Sequence, residues 1–158
     1  MVNMLRRFVE ERMRKGVVLK RLREQFFKAS TKILDFDQFF TNLREDLAKC
    51  QSHVVIVSPF LRRETVSRFL SYREVNDALK RRVKIIAVVR PASAKEAEEI
   101  SEQQECINLL KEKGFKVVEK SKFHFKAVII DDSIIYVGSI NALSIISLYY
   151  VPADYMLR

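Results

Sequence analysis

Phe123 to Asn141 reads FHFKAVIIDDSIIYVGSIN, two apolar runs that carry a few polar residues at fixed offsets. His124 and Lys126 are two apart, so on a β-strand both project from one face while Phe123 and Phe125 cover the other. Ala127 to Ile130 continues that strand, Asp131-Asp132-Ser133 turns it, and Ile134 to Val137 runs back. Gly138-Ser139-Ile140-Asn141 then closes the hairpin with a small residue and two hydrogen-bonding side chains. Imidazole, ammonium, hydroxyl and amide can thus converge on one anion.

The spacing HxKxxxxD at His124, Lys126 and Asp131, followed by GSxN at Gly138, Ser139 and Asn141, resembles the signature of the phospholipase D superfamily. The resemblance is close over the motif, looser from Asp35 onward, and leaves residues 1–34 outside it. It implies an α/β fold, an α-β-α sandwich with a mixed central sheet and the hairpin near its middle. It also implies that His124 attacks phosphorus to form a phosphohistidine, and that Lys126 and Asn141, with Ser139 second, hold the phosphoryl oxygens. No metal and no cofactor is expected.

Asp131 starts the turn and is expected to orient the hairpin, not to touch phosphate. Proteins of this superfamily commonly place an acidic residue in the next strand to orient a catalytic histidine. Beyond Asp132 the remaining side-chain carboxylate is Asp154, one methylene shorter than the usual Glu, and the resemblance implies that place for it. The motif occurs once, and one imidazole cannot easily both attack and protonate the leaving group. Superfamily members with one motif pair two subunits, so a homodimer sharing one active site is expected. Arg82 stands where the superfamily often has Gly.

Elsewhere the sequence supplies scaffold and charge. A chain of 158 residues, 48% hydrophobic, is long enough to bury a core as one domain. Its 29 Lys and Arg against 20 Asp and Glu give a net charge of +9, which favours a polyanionic partner, nucleic acid or an anionic membrane. Cys50 and Cys106 fall in no metal-ligand pair and are expected to be reduced, partly buried thiols; a zinc site from Cys50 and His53 has no second pair to complete it. No apolar run has the length of a transmembrane helix, and the N-terminus alternates charge with apolar residues. A soluble, cytoplasmic protein is expected.

Residues 3–28 space Leu5, Phe8, Val9, Met13, Val18, Leu19, Leu22 and Phe26 as a helix does, interrupted at Gly16. Nine basic residues there oppose three Glu. Residues 1–34 therefore read as a basic helical extension in which Arg6, Arg7, Arg14 and Lys15 either contact nucleic acid or form a solvated face over the core or a dimer partner. Residues 35–158 read as the catalytic domain. Asp35 or Asp37 caps a helix through about Lys49 whose Phe36, Phe39, Phe40, Leu43 and Leu47 face the core. His53 to Ser58 reads as a mid-sheet strand covered on both faces, with His53 a surface or edge residue. A helix over 62–82, a strand over 83–89, a helix over 92–113 capped by Gly114 and a strand over 115–119 follow. After the motif, 142–148 reads as a helix and 153–158 as a last strand.

The leading expectation is a metal-independent nuclease, with DNA ahead of RNA as substrate. The alternatives are a phospholipid hydrolase or phosphatidyl transferase, and a nucleic-acid-binding module that grips phosphate without turnover.

Overall fold

The computed structural model describes residues 31–92, 97–144 and 154–158. Arg6, Arg7, Arg14 and Lys15 lie outside the described residues, as does most of the helix expected over 142–148, of which residues 142–144 form a turn. Among the described residues seven strands form one mixed sheet in the order β1-β7-β6-β5-β2-β3-β4. They are β1 (Ile33–Leu34), β2 (His53–Val57), β3 (Lys84–Val89), β4 (Lys116–Glu119), β5 (Ala127–Ile130), β6 (Ile134–Gly138) and β7 (Met156–Leu157). Strands β2, β3 and β4 run parallel, and all other pairings are antiparallel. The hairpin strand β5 is therefore central, as the sequence predicts. The sheet begins before Asp35, because Ile33 and Leu34 pair with Leu157 and Met156 at its edge.

Four helices are described: α1 (Phe36–Lys49), α2 (Arg63–Ser71), α3 (Arg73–Lys80) and α4 (Ala97–Glu112). Asp35 is the α1 cap, in a reciprocal capping box with Gln38 that satisfies two otherwise orphaned backbone N–H groups. Phe39 is fully buried and meets Tyr136 edge-on at 5.4 Å, so the α1 phenylalanines are core. The single helix expected over 62–82 is broken at Tyr72, whose backbone is extended. At the break Asn76 Nδ2 donates to the Leu70 and Tyr72 carbonyls, and Asn76 N donates to Tyr72 O at 3.2 Å to open α3.

Helix α3 ends with Arg82 at φ +64°, Val83 N donating to Ala78 O and Arg82 N to Leu79 O. That is the left-handed closure usually given to Gly, and here an Arg carries its strain. Gly114, at φ +92°, closes α4 in the same way.

Core positions share one face of the sheet: Val54, Ile56, Ile85, Ala87, Val128, Ile130 and Tyr136 pack with residues of all four described helices. On the other face Val55, Ile86, Ile129 and Ile135 line up across four strands, and none is buried. Cover on both faces of β2, expected from its apolar run, is therefore not complete among the described residues.

The β5–β6 turn is clamped to the start of β2. Asp131 accepts from the backbone N–H of Gln51 (2.7 Å), Ser52 (2.8 Å) and His53 (3.0 Å), and from the Ser52 hydroxyl at 2.9 Å. Burial works against its charge, but the N–H donors of Gln51, His53 and Ser52 outweigh it and hold the carboxyl well below the ordinary range. Asp131→Asn should lower unfolding free energy at neutral pH by about 2 kcal/mol, since charge-assisted hydrogen bonds are lost. A depressed folded value means the contribution is present above the ordinary carboxylate range and is lost as pH falls through the depressed value. In urea unfolding the gap between wild type and Asp131→Asn should accordingly be full at pH 7 and narrow in strong acid; equal stability at pH 7 would refute the clamp.

Candidate active site

The ends of β2, β3 and the hairpin meet at one edge of the sheet. The β5–β2 register pairs Ala127 with Val57, and the β5–β6 register pairs it with Val137, so residues 124–126 and 138–141 emerge beside the carboxyl ends of the parallel strands. Ligand sites of α/β sheets form at that edge. His124 and Lys126 precede the strand on which they are expected, because β2 has turned away at Ser58-Pro59 and offers β5 no further ladder. They stay side by side nonetheless, with Lys126 Nζ 3.2 Å from His124 Nε2 and 3.5 Å from Nδ1.

Lys126 is half-buried. Burial lowers its pKa first, the Asp154 carboxylate pulls the other way, and the Arg90 guanidinium lowers it again, for a net shift below the ordinary lysine value. Asp154 thus acts electrostatically on the motif lysine, whereas the sequence assigns it to orienting a histidine. Asp131 does not belong to this group: its carboxylate lies at the far end of β5, about 16 Å along the chain from Lys126 at strand rise. His53 lies at that far end too, its Nε2 3.1 Å from Asp132 Oδ1.

Asn141 is buried, and its Oδ1 accepts from the Ser58 hydroxyl. That contact fixes the amide and leaves its Nδ2–H donors for an anion. Ser58 is itself fully buried, receives Leu143 N at 3.2 Å and lies 3.1 Å from the Phe60 carbonyl. Ser139 is committed to the last strand: Tyr155 N donates to its Oγ at 3.0 Å, and its own N–H donates to Tyr155 O at 3.0 Å. It thereby holds the backbone next to Asp154 against the end of β6.

Three contributors escaped the sequence reading: Ser58, Arg90 and Gln103. Arg90 Nε donates to the Phe123 carbonyl at 2.7 Å, and Gln103 bridges the loops after β2 and β3. The signal was there for two of them, since Ser58 and Arg90 each precede a proline at the end of an apolar strand. Among the described residues, no group of three or more His, Cys, Asp or Glu side chains is placed to hold a metal ion.

This arrangement of order, register and motif has relatives. A family model described as "Cardiolipin synthase, PLD-like domain" matches residues 43–144, well over half of the chain. The chain belongs to the phospholipase D-like family. None of the curated proteins matches it. Among solved structures it is similar to Nuc from Salmonella typhimurium, a phospholipase D family member, with TM-score 0.56 and 13% identity over 81% of this chain and 80% of that one. It is similar to NucT from Helicobacter pylori, with TM-score 0.53 and 15% identity over 81% and 82%. It is also similar to phosphatidylserine synthase from Haemophilus influenzae, with TM-score 0.56 and 12% identity, covering 81% of this chain and 33% of that one. At these identities the likeness is one of fold. Among the described residues no helix is long and apolar enough to cross a membrane.

Within this phospholipase D-like site Gly138 has a steric task. A Cβ there would collide with the Tyr155 carbonyl oxygen and come within 2.9 Å of Met156 Cα, both backbone atoms. Gly138→Ala should therefore force β7 outward, costing about 1–3 kcal/mol as overpacking does. Thermal unfolding should show Gly138→Ala melting several degrees below both wild type and Ser139→Ala; a wild-type melting temperature for Gly138→Ala would contradict the close approach.

Proposed function

We propose that this phospholipase D-like chain is a metal-independent phosphodiesterase acting on nucleic acid. The observation that carries the reading is the His124–Lys126 pair, 3.2 Å apart, with Asp154 acting on Lys126 and the amide of Asn141 anchored at the same sheet edge. In the first step a ring nitrogen of His124 bonds to phosphorus while the bond from phosphorus to the leaving oxygen breaks, and that oxygen takes a proton. In the second, water attacks the phosphohistidine, the nitrogen–phosphorus bond breaks and the imidazole is regenerated. Lys126 and the Asn141 amide supply the cation and donors that the spreading phosphoryl charge requires, which is the task a metal performs in other phosphodiesterases. Ser139 and Asp154 hold these groups in register.

His53 is bonded to Asp132 at the other end of the sheet, so the proton for the leaving oxygen comes from a second copy of the site. Two chains meet about a two-fold axis; His124 of one attacks and the partner subunit's His124 protonates. Nucleic acid as substrate is supported by the net charge of +9 and by exposed rings beside the site. Phe60, Phe125 and Tyr155 are each about half exposed, and unpaired bases stack on such rings at favourable energy whatever their sequence. DNA is placed ahead of RNA.

Wild type and His124→Ala should be mixed at varied ratios under conditions of verified subunit exchange, with excess EDTA and a single-stranded DNA substrate. Activity should persist in EDTA and follow the square of the wild-type fraction. Loss of activity in EDTA restored by magnesium would point to a metal nuclease, and a linear dependence on wild-type fraction would give each chain its own site. Turnover of phosphatidylcholine vesicles but not of DNA or RNA would replace nucleic acid by lipid.

A further inference from the structure

The segment that carries the motif histidine has little backbone support of its own. Residues 121–126 form no strand, and among the described residues Lys120 N to Val89 O, at 2.9 Å, is the last backbone bond before Gly138 N reaches Lys126 O at 3.5 Å. Between those points a side chain intervenes. Arg90 Nε donates to Phe123 O at 2.7 Å, and its guanidinium lies over the Phe60 ring, 5.1 Å from the centroid. The Phe60 ring in turn meets the His124 imidazole edge-on at 6.3 Å.

Arg90 is itself held at both ends of its backbone. Its N–H donates to Pro59 O at 3.0 Å, and its carbonyl receives Gln103 Nε2 at 2.8 Å. Gln103 is buried on α4 and also takes Leu61 N on its Oε1 at 2.9 Å, so the loops after β2 and β3 are tied through one amide. A buried amide satisfied on both sides is a rigid fixture. From it the chain of contacts runs Gln103, Arg90, then Phe123 and Phe60, and ends at His124.

We propose that Arg90 is the positioning residue for His124, fixing the imidazole through the Phe123 carbonyl and the Phe60 ring and standing as the second cation beside Lys126. The inference rests on the phosphodiesterase reading for its kinetic consequence, but its geometric content is independent of it. A planar guanidinium can donate along one edge and stack on a ring at once, which an ammonium cannot do. Among the described residues the charged groups that act on Lys126 are Arg90 and Asp154, with the His124 imidazole beside it, and removal of the Arg90 cation lets the lysine return toward its ordinary value.

Arg90→Gln and Arg90→Lys in the full chain separate the two roles. Both should lower kcat on bis(4-nitrophenyl) phosphate by about 10- to 100-fold, the scale of a misplaced reacting group. KM should stay within about threefold of wild type, as for an interaction expressed mainly in the transition state. The alkaline limb of the pH–rate profile should move to higher pH in Arg90→Gln and stay in place in Arg90→Lys, which keeps a cation. The chain has two histidines, so ring NMR signals report position directly: those of His124 should move in both variants, while those of His53, at the opposite sheet end, stay fixed. Wild-type kcat in both folded variants, or His124 signals that do not move, overturns the proposal. If wild type cleaves no phosphodiester, the phosphodiesterase reading fails and the histidine signals still decide whether Arg90 positions His124.

Discussion

The carboxylate of Asp131 is the constraint on which the site depends, although it stands a full strand away from it. Three successive backbone N–H groups at the start of β2 converge on its two oxygens, and Asp131 N returns a bond to His53 O at 3.0 Å. A one-residue slip between β2 and β5 would break all of these bonds and turn every side chain of the hairpin to the other face. Fixing the register at one end of a four-residue strand fixes it at the other. His124 and Lys126 are placed by that register beside the carboxyl ends of β2 and β3.

Buried polar contacts then do what apolar packing alone cannot, which is to define direction. Ser58 orients Asn141, Gln103 ties the two loops, and a third cluster joins helix, hairpin and last strand: Tyr136 Oη donates to Asp46, and Arg158 donates to both Asp46 oxygens at 2.8 Å. Burial, the Asp46 hydrogen bond and the Asp46 charge all hold the Tyr136 hydroxyl protonated far above neutral pH. Among the described residues no buried side-chain polar atom lacks a partner, so these contacts stabilise the fold with no stranded donor or acceptor. The Cys50 thiol adds a contact to Asp131 Oδ1 at 3.3 Å, and burial, foremost, raises both Cys50 and Cys106 to about 11, so neither is a thiolate at neutral pH.

Much of this was legible in the chain because it rests on local rules. The apolar runs of β2, β3 and the hairpin, the Asp35 cap and the Gly114 closure each follow from a few neighbouring residues, and the motif spacing named the family. What the sequence hid was contact between distant segments. Nothing local in 62–82 shows that Asn76 will take the Leu70 and Tyr72 carbonyls and split the helix, or that β2 will leave β5 unpaired before Lys126. Arg90 and Gln103 look like ordinary surface residues until the loops after β2 and β3 meet. Asp154 and Ser139 carry meaning only once β7 lies against Gly138, an approach that depends on an absent side chain.

The central claim is that His124 becomes covalently bonded to phosphorus. Wild-type protein quenched during turnover of a DNA oligonucleotide carrying radioactive phosphate at internal linkages, then digested and sequenced by mass spectrometry, tests it most directly. The account predicts label retained on His124, stable to alkali and released by mild acid, and absent from His124→Ala. Label on another residue, or rapid cleavage with no label at any time point, would contradict it.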